Sequence, residues 1–561
     1  MDEKTAHAME EPGDQEPSGP KHRAGFKRSI LGHPLPYAIV VLCLILVEGV
    51  YLIVSRPAMR IIVLVALACL FVVSIVVWTR LRGNEDNAVE VFAHRVFPVA
   101  LLILGVAFML FFPPRAVPDE DYHFGYSYSY ANLLDPTYGE MDIRKEDDLL
   151  IRDTALFSRE MKADYWLRLQ EGVPIFAQNG EKIPYEFDNT VQDRPIVRPI
   201  LSGGYMNNPP QLKLASGVGI LLGRALNLSG IVVYFLGRLF NFLFAFALIV
   251  LAVRLIPVGK NIMMAVALLP MTLHLLGSYS YDAGIIGLSF LLIALLVRII
   301  AHEEKASRKY LVATCATAVL LAPCKVVYVP ICILALCVPT TRFSSSREML
   351  VWKASMLLLP LFCIGLLRMT SIVHVSGADG SSGQTVTRFG NEQGTYYKMT
   401  DVVQRPLHTA YVFLRTLYEN IDAYFLTTVG GALASMQGNI FAKNVQVFAY
   451  ALMLCFATIP SADDDGTFKW RERLVSLAIF IMVAVATMLA LMVSWTFVTE
   501  DVIEGVQGRY FLPVLPLLLL ALRGNSIVSK VKSAPLIVMT LGGLNLLYLA
   551  QIYYSVLGGP M

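Results

Sequence analysis

Charged side chains are scarce in this chain: Asp, Glu, Lys and Arg together make up 16% of its 561 residues, against about 25% in a soluble domain. That deficit excludes an ordinary water-soluble globule. A net charge of only +3, with no basic stripe outside the loops, excludes nucleic-acid binding. The eight cysteines (Cys43, Cys69, Cys315, Cys324, Cys332, Cys337, Cys363 and Cys455) lie in or beside apolar segments. None pairs up in the long polar stretches, which excludes a disulfide framework and a CxxC metal site. Burial among apolar helices is the ordinary fate of such thiols. There is no GxxxxGK[ST] loop, no HExxH helix and no GxSxG elbow. Without a nucleotide-phosphate loop, an activated lipid is a better group donor than ATP or a nucleotide sugar.

What the chain has in abundance is apolar length. Hydrophobic residues reach 56% and the mean hydropathy is +0.58. Many runs extend for about 18–20 residues, enough to span the hydrocarbon core of a bilayer. They predict an all-α integral membrane protein of about 13 transmembrane helices, near 36–54, 60–79, 95–113, 231–256, 261–278, 282–301, 309–323, 326–340, 350–369, 440–459, 473–496, 509–523 and 534–555. The pair around Pro323 is short and reads as a broken hairpin. Residues 1–34 are expected to be a disordered cytoplasmic tail. Residues 35–80 are expected to form two accessory helices and 95–555 the membrane core.

Lysine and arginine collect in short loops such as "RIIAHEEKASRK" and "RGNSIVSKVK". The positive-inside bias puts these loops and the N-terminus in the cytoplasm. Two long segments, 114–230 and 370–439, then face outside and are expected to carry interfacial helices. Examples are "YHFGYSYSYANLL", "DYWLRLQEG" and "NPPQLKLASGVGILLGRAL". Tyr122, Tyr126, Tyr128 and Tyr130 are expected mainly at the headgroup level, with stacking on sugar rings as the other use.

The same topology brings chemistry to one membrane surface. In "VPDEDYHF", Pro118 suits the first position of a helix and puts Asp119 and Glu120 in its first turn. Asp119 and His123, four apart, would share a face able to hold a divalent ion or a substrate hydroxyl. Asp282 heads a span in "GSYSYDAGIIG", where an unpaired charge is costly. Lys325 marks the tip of the hairpin, and Arg509, after Gln507 and Gly508, begins an inward-going helix whose free N–H groups suit a phosphate. Arg238 interrupts the apolar run "YFLGRLFNFLF". Each has a plainer use as a snorkelling cation or a helix cap, but together they describe a carboxylate base beside phosphate-holding cations.

The segments "PDEDYHF", "NPPQLKLASGVGILLG", "GRLFNFLFAFALIVLA", "SYDAGIIGLSFLL", "CKVVYVPICIL" and "GVQGRYFLPVLPLLL" run in order across residues 95–555. They resemble a bacterial membrane family of unknown function, number 2142. Its layout is similar to that of the C-superfamily membrane glycosyltransferases, which place an acidic residue in the first outer loop and use polyprenyl-phosphate or polyprenyl-diphosphate sugar donors. The resemblance implies Asp119 as general base with Glu120 in support. It implies Arg509, Lys325, Arg238, Gln507 and Tyr510 on the donor phosphate or lipid, and His123, Asp282, Tyr281 and Asn208 on substrate. Asp119, Asp121 and His123 are the residues that would hold a divalent metal (Mg or Mn). "PDED" is not a clean DxD motif, so metal dependence stays open.

The expected activity is sugar transfer from a polyprenyl-phosphate donor to a glycan or glycolipid acceptor, at the outer face of a bacterial cytoplasmic membrane. A carrier that exports a lipid-linked glycan without chemistry is the rival reading. It would need ionisable residues near mid-membrane, and few are present.

Overall fold

A computed structural model describes residues 88–112, 114–140, 142–152, 175–176, 182–183, 196–197, 209–377, 386–388, 392–433, 440–461, 464, 466, 468–524 and 526–556. The tail at 1–34, the accessory spans 36–54 and 60–79, and "DYWLRLQEG" lie outside them. The described helices are α1 (Val89–Phe111), α2 (Glu120–Leu133), α3 (Lys145–Arg152), α4 (Leu214–Ala225), α5 (Gly230–Leu255), α6 (Lys260–Ala267), α7 (Pro270–Leu276) and α8 (Asp282–Ala301). They continue as α9 (Arg308–Leu321), α10 (Ser346–Gly377), α11 (Met399–Gln404), α12 (Pro406–Val429), α13 (Asn444–Ala457), α14 (Trp470–Trp495), α15 (Leu515–Leu522) and α16 (Ser533–Val556).

Among the described residues six helices, α1, α5, α8, α10, α14 and α16, are long and apolar enough to cross a membrane. The protein is a multi-pass, all-α membrane protein. Several expected spans are shorter or broken, for local reasons. The run 261–278 divides into α6 and α7 because Pro270, at the start of α7, has no N–H to continue the ladder. Val326–Cys337 winds as a 3₁₀-helix with Pro330 inside it. Its steeper rise of about 2 Å per residue carries 12 residues across roughly 24 Å. The stretch 509–523 begins as a 3₁₀ turn, Gly508–Phe511, before α15.

Helix α8 is the centre of the bundle: 94% of its apolar window is buried against protein, whereas α10 buries only 22% and presents the rest outward. Close packing around it uses small residues, as helices in an apolar solvent require. At Gly219 of α4, an added Cβ would stand 2.5 Å from the Leu236 carbonyl oxygen of α5, so only glycine permits this approach. Strands are minor among the described residues, short antiparallel pairs such as Val386–Arg388 with Glu392–Gly394.

At the end of the bundle where α8 finishes, cations are tied to a helix-end carbonyl and to carboxylates. Arg298 donates to the Leu255 carbonyl at 3.1 Å, Lys260 pairs with Glu90, and buried Arg523 pairs with Asp464 at 3.2 Å. The end where α8 begins has a different character.

Candidate functional site

The site is built on a clamp. Arg238 of α5 is completely buried, and its guanidinium grips Glu120 through Nη2–Oε2 at 2.6 Å and Nε–Oε1 at 2.8 Å. A third nitrogen, Nη1, donates to the carbonyls of Phe112 (2.6 Å) and Met109 (3.1 Å), the C-terminal end of α1. The Tyr279 amide donates to Glu120 Oε1 at 3.1 Å, and the Arg115 amide to the Tyr234 hydroxyl at 3.2 Å. Four parts of the chain (the end of α1, the start of α2, α5, and the strap before α8) are therefore locked at one point. Glu120, expected beside the base, and Arg238, expected on phosphate, take up each other's hydrogen-bonding capacity.

The clamp sets the position of Asp119. Helix α2 begins at Glu120, and Asp119 stands outside it with φ 60°, the left-handed region. Asp is among the few non-glycine residues that tolerate this conformation. The expected first-turn placement is thus corrected by one residue, and Asp119 does not share a face with His123. Its backbone carbonyl accepts the His123 amide at 3.1 Å, while its carboxylate turns to Arg509, Nη2–Oδ2 3.2 Å.

Around Arg509 the ionic contacts are looser. Arg509 Nε lies 3.9 Å from Asp282 Oδ2, and Lys325 Nζ lies 3.8 Å from Asp282 Oδ1. Both are ion-pair distances and too long for hydrogen bonds. Buried Arg509 Nε, Asp282 Oδ1 and His123 Nδ1 have no hydrogen-bond partner among the described residues. Buried polar atoms are normally satisfied, and these three of one cluster keep hydrogen-bonding capacity that the described residues do not use. Lys325 also stands 4.0 Å above the Tyr510 ring and 5.4 Å from that of Tyr281, contacts that hold an ammonium without neutralising it. Arg509 lies in a single 3₁₀ turn, Gly508–Phe511, rather than at the start of an α-helix, so no α-helix N-terminus supports a phosphate there. Thr427 and Thr428 of α12 bind the Gly508 amide and carbonyl at 2.9 and 3.0 Å and fix that turn instead.

His123 is buried edge-on against Tyr281, ring centroids 4.5 Å apart. Burial first, then the fields of Lys213, Arg509 and Lys325, pushes its pKa well below the ordinary imidazole value. It is a neutral imidazole at physiological pH. Asp121 pairs with Arg115 at 3.3 Å. Asp119, Asp121 and His123 thus go to different partners, and among the described residues no group of three His, Cys, Asp or Glu side chains could hold a metal ion. Gln507 precedes the Arg509 turn and its carbonyl accepts the Tyr510 amide at 3.1 Å. Asn208 lies outside the described residues.

The tyrosine ladder divides: Tyr122 is exposed, Tyr126 and Tyr130 are half-buried, and Tyr128 is drawn inside. Tyr128 is buried and donates to Asp147 at 2.8 Å, and Phe124, four residues earlier on the same face, stacks on Tyr234 at 5.0 Å. Only Tyr122 is strongly exposed among the large apolar side chains of α2 before its last turn. Lys213 was not singled out by the sequence, where "PPQLKLAS" reads as the start of an interfacial helix. It is wholly buried, and its ammonium donates to the Tyr279 carbonyl at 2.7 Å. An isolated lysine between Leu212 and Leu214 was the available signal.

The model of the family Predicted membrane protein (DUF2142) matches residues 102–518. A crystal structure of ArnT from Cupriavidus metallidurans in the apo state is similar at 14% identity and a TM-score of 0.31, covering 82% of this chain and 77% of that one. No curated protein matches the chain.

Proposed function

The chain belongs to the Predicted membrane protein (DUF2142) family, and from that premise and the half-open ionic cluster we propose that it is a membrane glycosyltransferase using a polyprenyl-phosphate sugar donor. The observation that carries the reading is the contact of Arg509 Nη2 with Asp119 Oδ2 at 3.2 Å, with Asp282 3.9 Å from Nε of the same guanidinium and Lys325 3.8 Å from Asp282. A base and phosphate-binding cations thereby stand within one sugar's reach of each other.

The donor phosphate takes Arg509 from Asp119, with Lys325 as second cation. The released carboxylate accepts the proton of an acceptor hydroxyl on a glycan or glycolipid. The acceptor oxygen forms the new bond to the anomeric carbon as the bond from that carbon to the phosphate oxygen breaks, and the electron pair leaves on polyprenyl phosphate. Arg509 and Lys325 stabilise the leaving phosphate's charge. Neutral His123 and Tyr281 line the sugar, Tyr510 and Gln507 flank the phosphate, and Glu120 with Arg238 positions the base. No step is assigned to a metal. The site faces the exterior of a bacterial cytoplasmic membrane with the N-terminus inside, a reading supported by the basic loops at the opposite end of α8.

The test is direct. Purified protein with a polyprenyl-phosphate sugar and a membrane glycan extract should transfer sugar, and Asp119→Asn protein should bind the donor yet transfer it about 10²–10⁴-fold more slowly. Unimpaired transfer by Asp119→Asn refutes the base. Donor translocation without transfer by the unaltered protein favours a carrier.

A further inference from the structure

Beneath the site, Lys213 has no place in the chemistry above. It directly precedes α4, in the "NPPQLKLASG" stretch, and its side chain is fully enclosed. Among the described residues its ammonium makes one hydrogen bond, 2.7 Å to the Tyr279 carbonyl, and stands 6.0 Å from the Tyr281 ring centroid. A buried ammonium with no carboxylate in direct contact is costly. The residue it holds is used from both sides: the Tyr279 carbonyl accepts a hydrogen bond from the Lys213 ammonium, and the Tyr279 amide donates to Glu120. Three residues later the same strap delivers Asp282 to Arg509 and Lys325.

We propose that Lys213 is a positioning residue for the transfer reaction, whose ammonium pins the Tyr279–Asp282 strap and through it holds both the Glu120 clamp beneath Asp119 and the Asp282 counter-ion of the phosphate cations. The inference rests on the glycosyltransferase reading for its kinetic consequence but not for its structural one. The groups facing Lys213 are Asp282 and Glu120, which favour its charge, and His123, itself neutral. Burial outweighs both carboxylates and brings the ammonium pKa down to about 7. The pinning charge is therefore lost as pH rises through neutrality, while the bulk of lysines remain charged.

Three proteins decide it: unaltered, Lys213→Met and Lys213→Arg, compared by hydrogen exchange, thermal unfolding in detergent and transfer kinetics. Lys213→Met should speed amide exchange in segments 117–124 and 278–284 while α14 keeps its protection. It should lower kcat roughly 10- to 100-fold, the scale of an ångström of misplacement, with the donor KM little changed. Lys213→Arg should restore part of kcat and abolish the loss of activity that the unaltered protein shows as pH rises through about 7. Because the folded pKa is depressed, the cost of the charge is full below about 7 and vanishes above the unfolded value of 10.5. Lys213→Met should thus be relatively more stable at pH 6 than at pH 9. Unchanged exchange in both segments, or a stability difference independent of pH, overturns the proposal. If Lys213→Met does not fold, the unaltered protein compared at pH 6 and pH 9 must show the same selective loosening of 278–284, and its absence has the same force. Should the unaltered protein transfer no sugar, the enzymatic reading fails while the exchange and stability measurements still judge Lys213.

Discussion

Arg509 and Asp119 lie 390 positions apart and meet at 3.2 Å, yet the two partners are unlike: the arginine side chain is 5% exposed and the aspartate side chain 60%. The guanidinium cannot leave the protein, whereas the carboxylate can turn into water. An incoming anion therefore competes with Asp119 for a fixed cation, and the exposed partner yields.

Replacing Asp119 by Asn removes that competitor as well as the base. Transfer should fall by about 10²–10⁴-fold, the usual contribution of a general base. Binding of polyprenyl phosphate should be retained or tightened. Equilibrium binding beside steady-state kinetics checks both, and weaker binding in Asp119→Asn would contradict the competition.

Arg509→Ala leaves buried Asp282 without one of its two cations and takes the main anion contact from the site. Polyprenyl-phosphate affinity should drop by roughly 10- to 100-fold, in line with about 1.5–3 kcal/mol for a charged hydrogen bond. Arg509→Lys should recover only part, since an ammonium lacks the planar fork. Similar affinity for all three proteins would place the phosphate elsewhere.

The Glu120–Arg238 pair is wholly buried on both sides. Glu120→Ala leaves the guanidinium uncompensated and should destabilise the protein by about 3–5 kcal/mol. The double variant Glu120→Leu/Arg238→Met should recover much of that loss. It should fall short of full recovery because the Met109 and Phe112 carbonyls also lose their donor. Unfolding midpoints in detergent measure both, and strict additivity of the two single losses would deny the pairing.

His123 gives a pH signature. The unfolded chain protonates it below about 6.5, whereas burial keeps the folded imidazole neutral to a much lower pH. The unfolded state then binds more protons, so stability declines as pH falls below about 6.5. His123→Phe should shrink the drop in unfolding midpoint between pH 7.5 and pH 5. An undiminished drop would assign it to other groups.

Much of this architecture was readable in the residues alone, because apolar length and glycine or proline placement are local properties. The run at 282–301 became helix α8 with the same limits, and 231–256 became α5 to within one residue. Asp119, Asp282, Lys325 and Arg509 stood out as charges at the ends of apolar runs, and the fold gathers all four. What no run of residues could reveal was which charges neutralise each other. Arg238 and Glu120, 118 positions apart, disappear into a clamp, Lys213 is drawn inside, and Asp119 is turned out of its helix. Partner choice depends on which faces the packed helices present. A charge at a helix end therefore announces itself by chain position, while its duty as a strut or as a ligand is decided only by the neighbours that packing brings to it.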